Sequence, residues 1–539
     1  MISGSQIMVN CLKKENVKVV FGYPGAAICP FYDALFNSDI KHILVRQEQN
    51  AGHCASGYAR ASSSVGVCIA TSGPGATNLI TGLATAYMDS IPIVAITGQV
   101  RSDLIGKDVF QEADITGACE PFTKHSYLVR HTEDLPRIFK EAFYIAKTGR
   151  PGPVLIDVPI DIQQNQIPEF IYPDKINIIG YKPQTSGHAL QIKRAIKQIE
   201  SAKKPLILAG GGVLTSGAKL KLITLAEKTN IPVITTMMGI GTIPSNHPLY
   251  LGMLGSHGNK CANTVLNQAD LLITCGARIG DRAFSEPSKI SHQANIIHID
   301  IDPAEIGKNI HTHVPIVGHI KNVLSSILDN ISYKAPDDWI KYISDLKIKI
   351  IPSIKCYDGF VEPKSFISNF SSLLPDKSIL CVDVGQNQIW CANHFKIKHG
   401  RFLTSGGMGT MGYSIPAAIG AKLARPRREV FAVCGDGSFQ MSMCELSTAV
   451  QHNIPIKLII MKNSRLGMVR EIQDKLYNSN YSATILEPDI NFLKISEAYN
   501  IPCYIANTNS EALKLSKLMI NSKSSCILVC NIEPNTSSL

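Results

Sequence analysis

Three doubly wound α/β units in one chain, each a parallel sheet covered by helices, are the fold this sequence predicts. Short apolar runs that read as strands buried on both faces alternate with longer helical patterns along the whole chain. The length, 539 residues, corresponds to roughly three domains. Two polar, aperiodic stretches, near 163–184 and 332–362, divide the chain into comparable parts.

The elements support this in order. The first unit, residues 1–165, holds VKVVFG, HILV, VGVCIATSG, IPIVAITG and PGPVLIDVP, each bounded by Gly, Pro or Asp. A Pro-bearing linker follows. The second unit, 185–335, opens on the helical QIKRAIKQIESAKK and continues with PLILAGGG, IPVITTM, ADLLITCGAR and ANIIHIDIDP. YKAPDDWIKY and KCYDGFVEPKS loosen the pattern before the third unit, 360–539, whose strands are SILCVDVG, REVFAVCGDG, IPIKLIIMKN and SCILVCNI. No tandem repeat of about 20–50 residues is visible.

Composition excludes several classes. Apolar residues make up 45% and charged residues only 18%, which rules out disorder as the main theme. The charged share is low enough to imply surface buried against other subunits. The 53 basic and 43 acidic residues give a charge of +10, but the basic residues are scattered and do not interleave with aromatics, so no nucleic-acid partner is expected. Fifteen cysteines without a C-x-x-C pair, several of them in apolar runs (Cys68, Cys275, Cys434), suit buried thiols in a reducing, cytoplasmic setting. The first residues lack a signal-peptide layout and no stretch reaches about 18 apolar residues, so no membrane span is expected.

The stretch EVFAVCGDGSFQMSMCELSTAVQHNIPIKLIIMKN reads strand, Gly-rich turn, helix, strand. Parallel βαβ units are right-handed and gather ligands at the carboxyl ends of their strands. Asp436 and Asn463, 27 residues apart, therefore face one crevice with two oxygen donors. Mg²⁺ favours oxygen ligands shared with phosphates, and a helix N-terminus offers free N–H groups to an anion. A pyrophosphate bridged by Mg²⁺ fits that arrangement.

GDG followed by Asn at this distance resembles the thiamine diphosphate (ThDP) motif of decarboxylases and carboligases. Together with VFGYPGAA, VRQEQNAGHCASGYARA, TSGPGATN, AYMDSIPIVAITGQV, GRPGPVLIDVP, SGGMGTMGYSIPAAIGAK and LGMVREIQ, the chain resembles the acetolactate synthase (acetohydroxyacid synthase) large-subunit family over nearly its whole length. The resemblance makes the three units the pyrimidine-binding, central FAD-type and pyrophosphate domains. It implies a transferase that decarboxylates pyruvate and joins the two-carbon unit to a second pyruvate or to 2-oxobutyrate, the first common step of valine, leucine and isoleucine synthesis.

By the same resemblance Glu48 hydrogen-bonds the aminopyrimidine of ThDP and assists removal of the thiazolium C2 proton, ordinary acid/base help from a placed carboxylate. Asp436, Asn463 and the Arg465 carbonyl hold Mg²⁺. Gly385, Gln386, Asn387, Gly409, Met411, Gly435 and Ser438 contact ThDP, with Met411 keeping the cofactor bent. Phe110 and Gln111 lie near the substrate, and Gln111 joins Glu48 and Met411 in the catalytic set. Arg150, Gly211, His257, Arg278, Arg282, Asp300 and His319 fall on positions that face FAD. The implied assembly is a homodimer or tetramer with the active site between chains, plus a regulatory small subunit.

This sequence departs from the family pattern at several points. Asn387 replaces a diphosphate-contacting His, Ile160 replaces a Lys, and Arg278-Ile279-Gly280-Asp281-Arg282 alters an Arg-rich run; these changes bear on FAD more than on ThDP. Glu471 and Ile472 stand where relatives carry Gln and Trp. The chain ends at NIEPNTSSL, without the longer closing arm of relatives, which predicts lower activity.

Other readings remain. A different ThDP-dependent 2-oxo acid decarboxylase or oxidase and a degenerate paralogue are alternatives, although Glu48 argues against glyoxylate carboligase. Gly407, Gly409 and Gly412 fit the letter of a dinucleotide fingerprint, yet the nearest following acid, Glu429, opens the next strand. His311 and His313 form a metal-like pair that lacks a third ligand.

Overall fold

The computed structural model describes residues 1–284, 290, 292–350 and 355–539. It contains three six-stranded sheets, parallel throughout, and one small antiparallel pair. In the first sheet the spatial order is Lys41–Leu44, Val19–Gly22, Gly66–Ala70, Ile93–Gln99, Pro153–Pro159, His125–Leu128. Every residue of Gly66–Ala70, Ile93–Gln99 and Pro153–Pro159 is buried, as central parallel strands covered on both faces must be. The third sheet runs Arg401–Thr404, Ile379–Val382, Val430–Gly435, Lys457–Lys462, Cys526–Asn531, Cys503–Ala506. The three expected α/β layers are therefore present.

Local signals start the helices. Ser3 forms a capping box: its hydroxyl accepts from the Gln6 N–H at 3.3 Å, and the Gln6 side-chain oxygen accepts from the Ser3 N–H at 3.0 Å. Lys13 and Lys14 occupy the last turn of that helix, where the macrodipole favours cations.

Both connecting stretches are more structured than their polarity implies. At the first, Gln163 is fully buried and its amide donates to the Ala27 and Val158 carbonyls at 2.8 and 2.9 Å. Gln166–Ile167 then pairs antiparallel with Ile2–Ser3, closing the first unit, and residues 168–188 carry no helix or strand. At the second, Asp337–Lys349 is a helix. Its Trp339 and Ile343 are buried in the central core, and the Trp339 indole N–H donates to the Pro205 carbonyl at 3.1 Å. The central unit thus extends beyond residue 335, because a Trp and an Ile one turn apart give an otherwise polar helix an inward edge.

The first and third units dock through two helices, Glu48–Ser62 and Ser414–Ala424. They cross at glycine. A Cβ on Gly57 would overlap the Ala417 carbonyl, and one on Gly420 would overlap the Cys54 carbonyl. The approach is backbone to backbone, so no side chain can yield. Around it Ser56 and Tyr413 share a buried hydroxyl pair at 3.0 Å, and Arg60 donates to the Thr404 carbonyl at 2.7 Å.

Overfilling such a contact costs about 1–3 kcal/mol or more. Gly420→Val should therefore lower the thermal unfolding midpoint by several degrees while an exposed control such as Lys321→Ala changes it little; an unchanged midpoint would contradict this crossing.

Candidate active site in two halves

The first half lies at the carboxyl ends of the N-terminal strands. Glu48 is the first residue of its helix, and Asn78 donates to its Oε2 at 3.0 Å. A Cβ on Gly75 would sit 3.3 Å from Glu48 Oε1 and 2.8 Å from the Thr71 methyl, so only glycine leaves the carboxylate room. The Thr71 hydroxyl is buried without a partner among the described residues. Gln111 packs against Gly73, where a Cβ would lie 2.9 Å from the Gln111 Cβ, in the same turn as Gly75. Phe110, its neighbour, is 87% exposed. Sequence reasoning quoted the TSGPGATN run without assigning Asn78 or Thr71 a part.

The second half forms at the carboxyl ends of Ile379–Val382, Val430–Gly435 and Lys457–Lys462. Asp436 is buried at the start of its helix and accepts from the Gly437 and Ser464 N–H groups at 3.1 and 2.6 Å. No cation pairs with it among the described residues, and burial pushes its carboxyl up to about 6. A buried carboxylate with this need for a cation, bonded to the N–H of Ser464 next to Asn463, suits Mg²⁺. The Asn463 Oδ1 accepts from the Arg465 N–H at 3.1 Å and its Nδ2 donates to the Gln386 oxygen at 2.9 Å, so Asp436, Asn463, Arg465 and Gln386 are one cluster.

The other expected ThDP contacts gather around it. Ser438 donates to the Val384 carbonyl at 3.2 Å, and Asn387 to the Asp383 carbonyl at 2.7 Å. A Cβ on Gly435 would lie 3.6 Å from the Asn387 Oδ1. Gly385 precedes the helix Gln386–His394 with φ +135°. Gly409 has φ +69° and nothing within 4 Å of its Cβ direction, so its constraint is backbone conformation beside open space. Met411 reaches toward Gly437, whose Cβ would be 3.6 Å from the Met411 methyl.

Asp383 was missed by sequence reasoning, although an acid directly after the strand Ile379–Val382 is a legible signal. It is fully buried and accepts from the N–H groups of Val384, Gly412 and Ser414 at 3.1, 2.8 and 2.9 Å. Asp89 similarly accepts from Gly406 and Gly407 at 3.1 and 2.7 Å. Burial raises both carboxyls. A strand, Arg401–Thr404, does precede the glycines 407, 409 and 412, but the N–H groups of Gly406, Gly407 and Gly412 in the loop, and of Ser414 after it, are committed to Asp89 and Asp383 and unavailable to a dinucleotide.

The central sheet has the order Tyr250–Met253, Val233–Thr235, Pro205–Ala209, Leu271–Cys275, Asn295–Asp300, Val314–Val317. The order reverses at Pro205–Ala209, the switch point where such sheets bind dinucleotides. Gly210 and Gly212 press on Gly276, and a Cβ on Gly211 would be 3.2 Å from Met238. Asp300 ends its strand, buried, with its carboxyl pushed up to about 6 by that burial. Arg278 donates to the Met88 carbonyl at 2.6 Å. Arg150 pairs with Asp302 and Glu305 at 3.4 and 3.0 Å. His257 and His319 flank the unit, His319 with an unpartnered buried Nδ1; Arg282 is exposed and pairs with Asp281 at 3.6 Å. The glycine cradle and switch-point acid fit a dinucleotide such as FAD, while Arg282 is turned out to solvent. His311 and His313 stack edge to face, and His313 Nδ1 accepts from the Ile296 N–H at 3.1 Å; no group of three metal-ligating His, Cys, Asp or Glu occurs among the described residues.

Residues 2–118, 192–327 and 383–530 match, respectively, the N-terminal TPP binding domain, the central domain and the C-terminal TPP binding domain of thiamine pyrophosphate enzymes. The chain belongs to the thiamine pyrophosphate enzyme family. Within it, the chain is 46% identical over 555 residues to a probable acetolactate synthase large subunit of Methanococcus aeolicus, covering 99% of this chain and 93% of the relative. It is 47% identical to the corresponding protein of Methanocaldococcus jannaschii, covering 93% and 87%, and 43% identical to the acetolactate synthase large subunit of Haemophilus influenzae, covering 92% and 88%.

Because Asp383 holds the Gly412 and Ser414 N–H groups, Asp383→Ala should speed amide hydrogen exchange at both at least tenfold, about 1.4 kcal/mol of lost protection, well within the worth of a buried charged acceptor. Unchanged exchange would show that the loop is held elsewhere.

Proposed function

We propose that this protein is an acetolactate synthase catalytic subunit, condensing pyruvate with a second pyruvate or with 2-oxobutyrate. The reading is carried by one conjunction: a chain similar to acetolactate synthases over nearly its full length places Glu48, Asp436 and Asn463 at the carboxyl ends of its parallel strands. ThDP, when bound, supplies the carbon nucleophile and the electron sink for decarboxylation. Asp436, Asn463 and the Arg465 carbonyl would hold Mg²⁺. Glu48, oriented by Asn78, would hold and pass a proton at its carboxylate, and Met411, beside Gly437, would wall the cofactor. FAD in the central unit is structural, since the reaction transfers no net electrons.

A site shared between two chains accords with the separation of its halves. Among the described residues no hydrogen bond or ion pair joins the Glu48 cluster to the Asp436 cluster. Exposed Phe110, Met408 and Met441 offer apolar surface for a second copy. A regulatory small subunit is the natural partner, as the relatives are called large subunits. The fifteen free cysteines, and the absence of a helix long and apolar enough to cross a membrane among the described residues, accord with a cytoplasmic enzyme.

Incubating the protein with pyruvate, ThDP, Mg²⁺ and FAD tests the reading: acetolactate should accumulate with the flavin oxidised, whereas flavin bleaching with acetate formation would mark an oxidase. Glu48→Gln keeps shape but not proton exchange, so C2–H exchange of bound ThDP, followed by NMR, should slow while binding persists. Asp436→Ala should weaken ThDP binding in Mg²⁺ at least tenfold by calorimetry. With the Asp436 carboxyl raised to about 6, protons compete with the metal below that pH, so Mg²⁺ affinity should be level above pH 6 and fall about tenfold per unit beneath it.

Ile472 bears on the acceptor. It is 45% exposed on the helix Gly467–Leu476, none of whose residues is buried, so it is not core filling. An aliphatic wall where relatives carry Trp touches the extra methyl of 2-oxobutyrate less, and one methylene contact is worth about 1–3 kcal/mol. Equal pyruvate and 2-oxobutyrate should give products near parity, and Ile472→Trp should raise acetohydroxybutyrate at least tenfold; strong parental preference would refute the contact.

A further inference from the structure

A second charged feature lies at the amino ends of the third sheet's strands, opposite Asp436. There the three units meet around a cleft of about 180 Å³. Ala61, in the last turn of Glu48–Ser62, comes from the first unit, Lys219 from the central one, and His399, Arg401, Arg425 and Arg428 from the third. Four permanent cations line it and no acidic residue does.

Their partners are few. Arg425 Nε donates to the Ala61 carbonyl at 3.0 Å and Lys219 Nζ to the Lys398 carbonyl at 3.4 Å. The guanidinium groups of Arg401 and Arg428 make no hydrogen bond or ion pair among the described residues. Burial, and then the neighbouring cations, lower the pKa of Arg401, Arg428 and Lys219. Such a gathering of like charge is unfavourable until an anion enters. Two free planar forks suit bidentate binding of phosphate oxygens, and four cations favour a multiply charged anion over a 2-oxo acid carboxylate. Gly217 at the rim has nothing within 4 Å of its Cβ direction, which leaves the mouth open.

We propose that this cleft between the three units is a binding site for a phosphate group, free or at the end of a small phosphorylated molecule, separate from the ThDP site. Its occupant would neutralise the cations and tie the central unit to the other two.

The test uses holoenzyme saturated with ThDP, Mg²⁺ and FAD, titrated with inorganic phosphate or with ADP against sodium chloride of matched ionic strength. Calorimetry and the thermal midpoint should report saturable binding of phosphate, one per chain, with a rise absent from the chloride control. Arg401→Gln/Arg428→Gln should weaken that binding at least tenfold while ThDP affinity stays unchanged. Without phosphate the double variant should be at least as heat-stable as the parent, because repulsion is relieved; a loss of stability would assign these arginines a structural role and overturn the proposal. ADP binding more tightly than phosphate, and lost in the variant, would make a nucleotide the source; equal affinity would make it free phosphate. No saturable phosphate effect, or a variant that binds as the parent does, also overturns it.

Discussion

The backbone contact between Glu48–Ser62 and Ser414–Ala424 is the constraint on which the rest of the molecule depends. Two helices from units more than 350 residues apart in sequence approach so closely that neither Gly57 nor Gly420 tolerates a Cβ. The same helix that makes this contact begins with Glu48, and Ser414–Ala424 follows directly on the loop containing Gly409 and Met411. Fixing the crossing therefore fixes the direction in which the acid and the cofactor loop point. Polar groups at its edge reinforce it: buried Glu445 accepts from the Arg46 N–H and the Asn50 amide, both at 2.9 Å.

Around this contact the structure repeatedly holds a site residue with a buried carboxylate. Asp383 and Asp89 each fasten part of the glycine loop by backbone N–H groups, leaving Gly409 beside open space. Asp436 likewise has backbone donors and no paired cation among the described residues, but it adjoins the Asn463–Gln386 pair at the strand ends, a placement that suits a metal. Gln386 connects that place to the periphery: its amide donates to Glu471 at 2.6 Å and to the Thr536 carbonyl at 2.7 Å. Glu471 in turn accepts from the Ser538 N–H and hydroxyl at 2.6 and 2.8 Å. The acid that departs from the family pattern thus joins the cofactor side to the last residues of the chain.

The sequence by itself determined the three parallel layers and the placement of Asp436 and Asn463 at neighbouring strand ends. Strands buried on both faces must be continuous apolar runs, and a GDG turn with Asn at the next strand end places both oxygen donors at adjacent carboxyl ends in any right-handed βαβ unit. The resemblance carried by VRQEQ singled out Glu48 as a candidate. Tertiary structure alone decided what supports them. Asn78 meets Glu48, and Gln111 meets Gly73, across turns distant in sequence, and nothing local to any of them specifies that meeting. The helix Asp337–Lys349 reads as a loosened stretch because only Trp339 and Ile343 face inward, and their burial depends on a core built by residues 192–331. Gly57 and Gly420 look like ordinary helix glycines until the partner backbone is in place, since close approach is a property of two segments and is written in neither one.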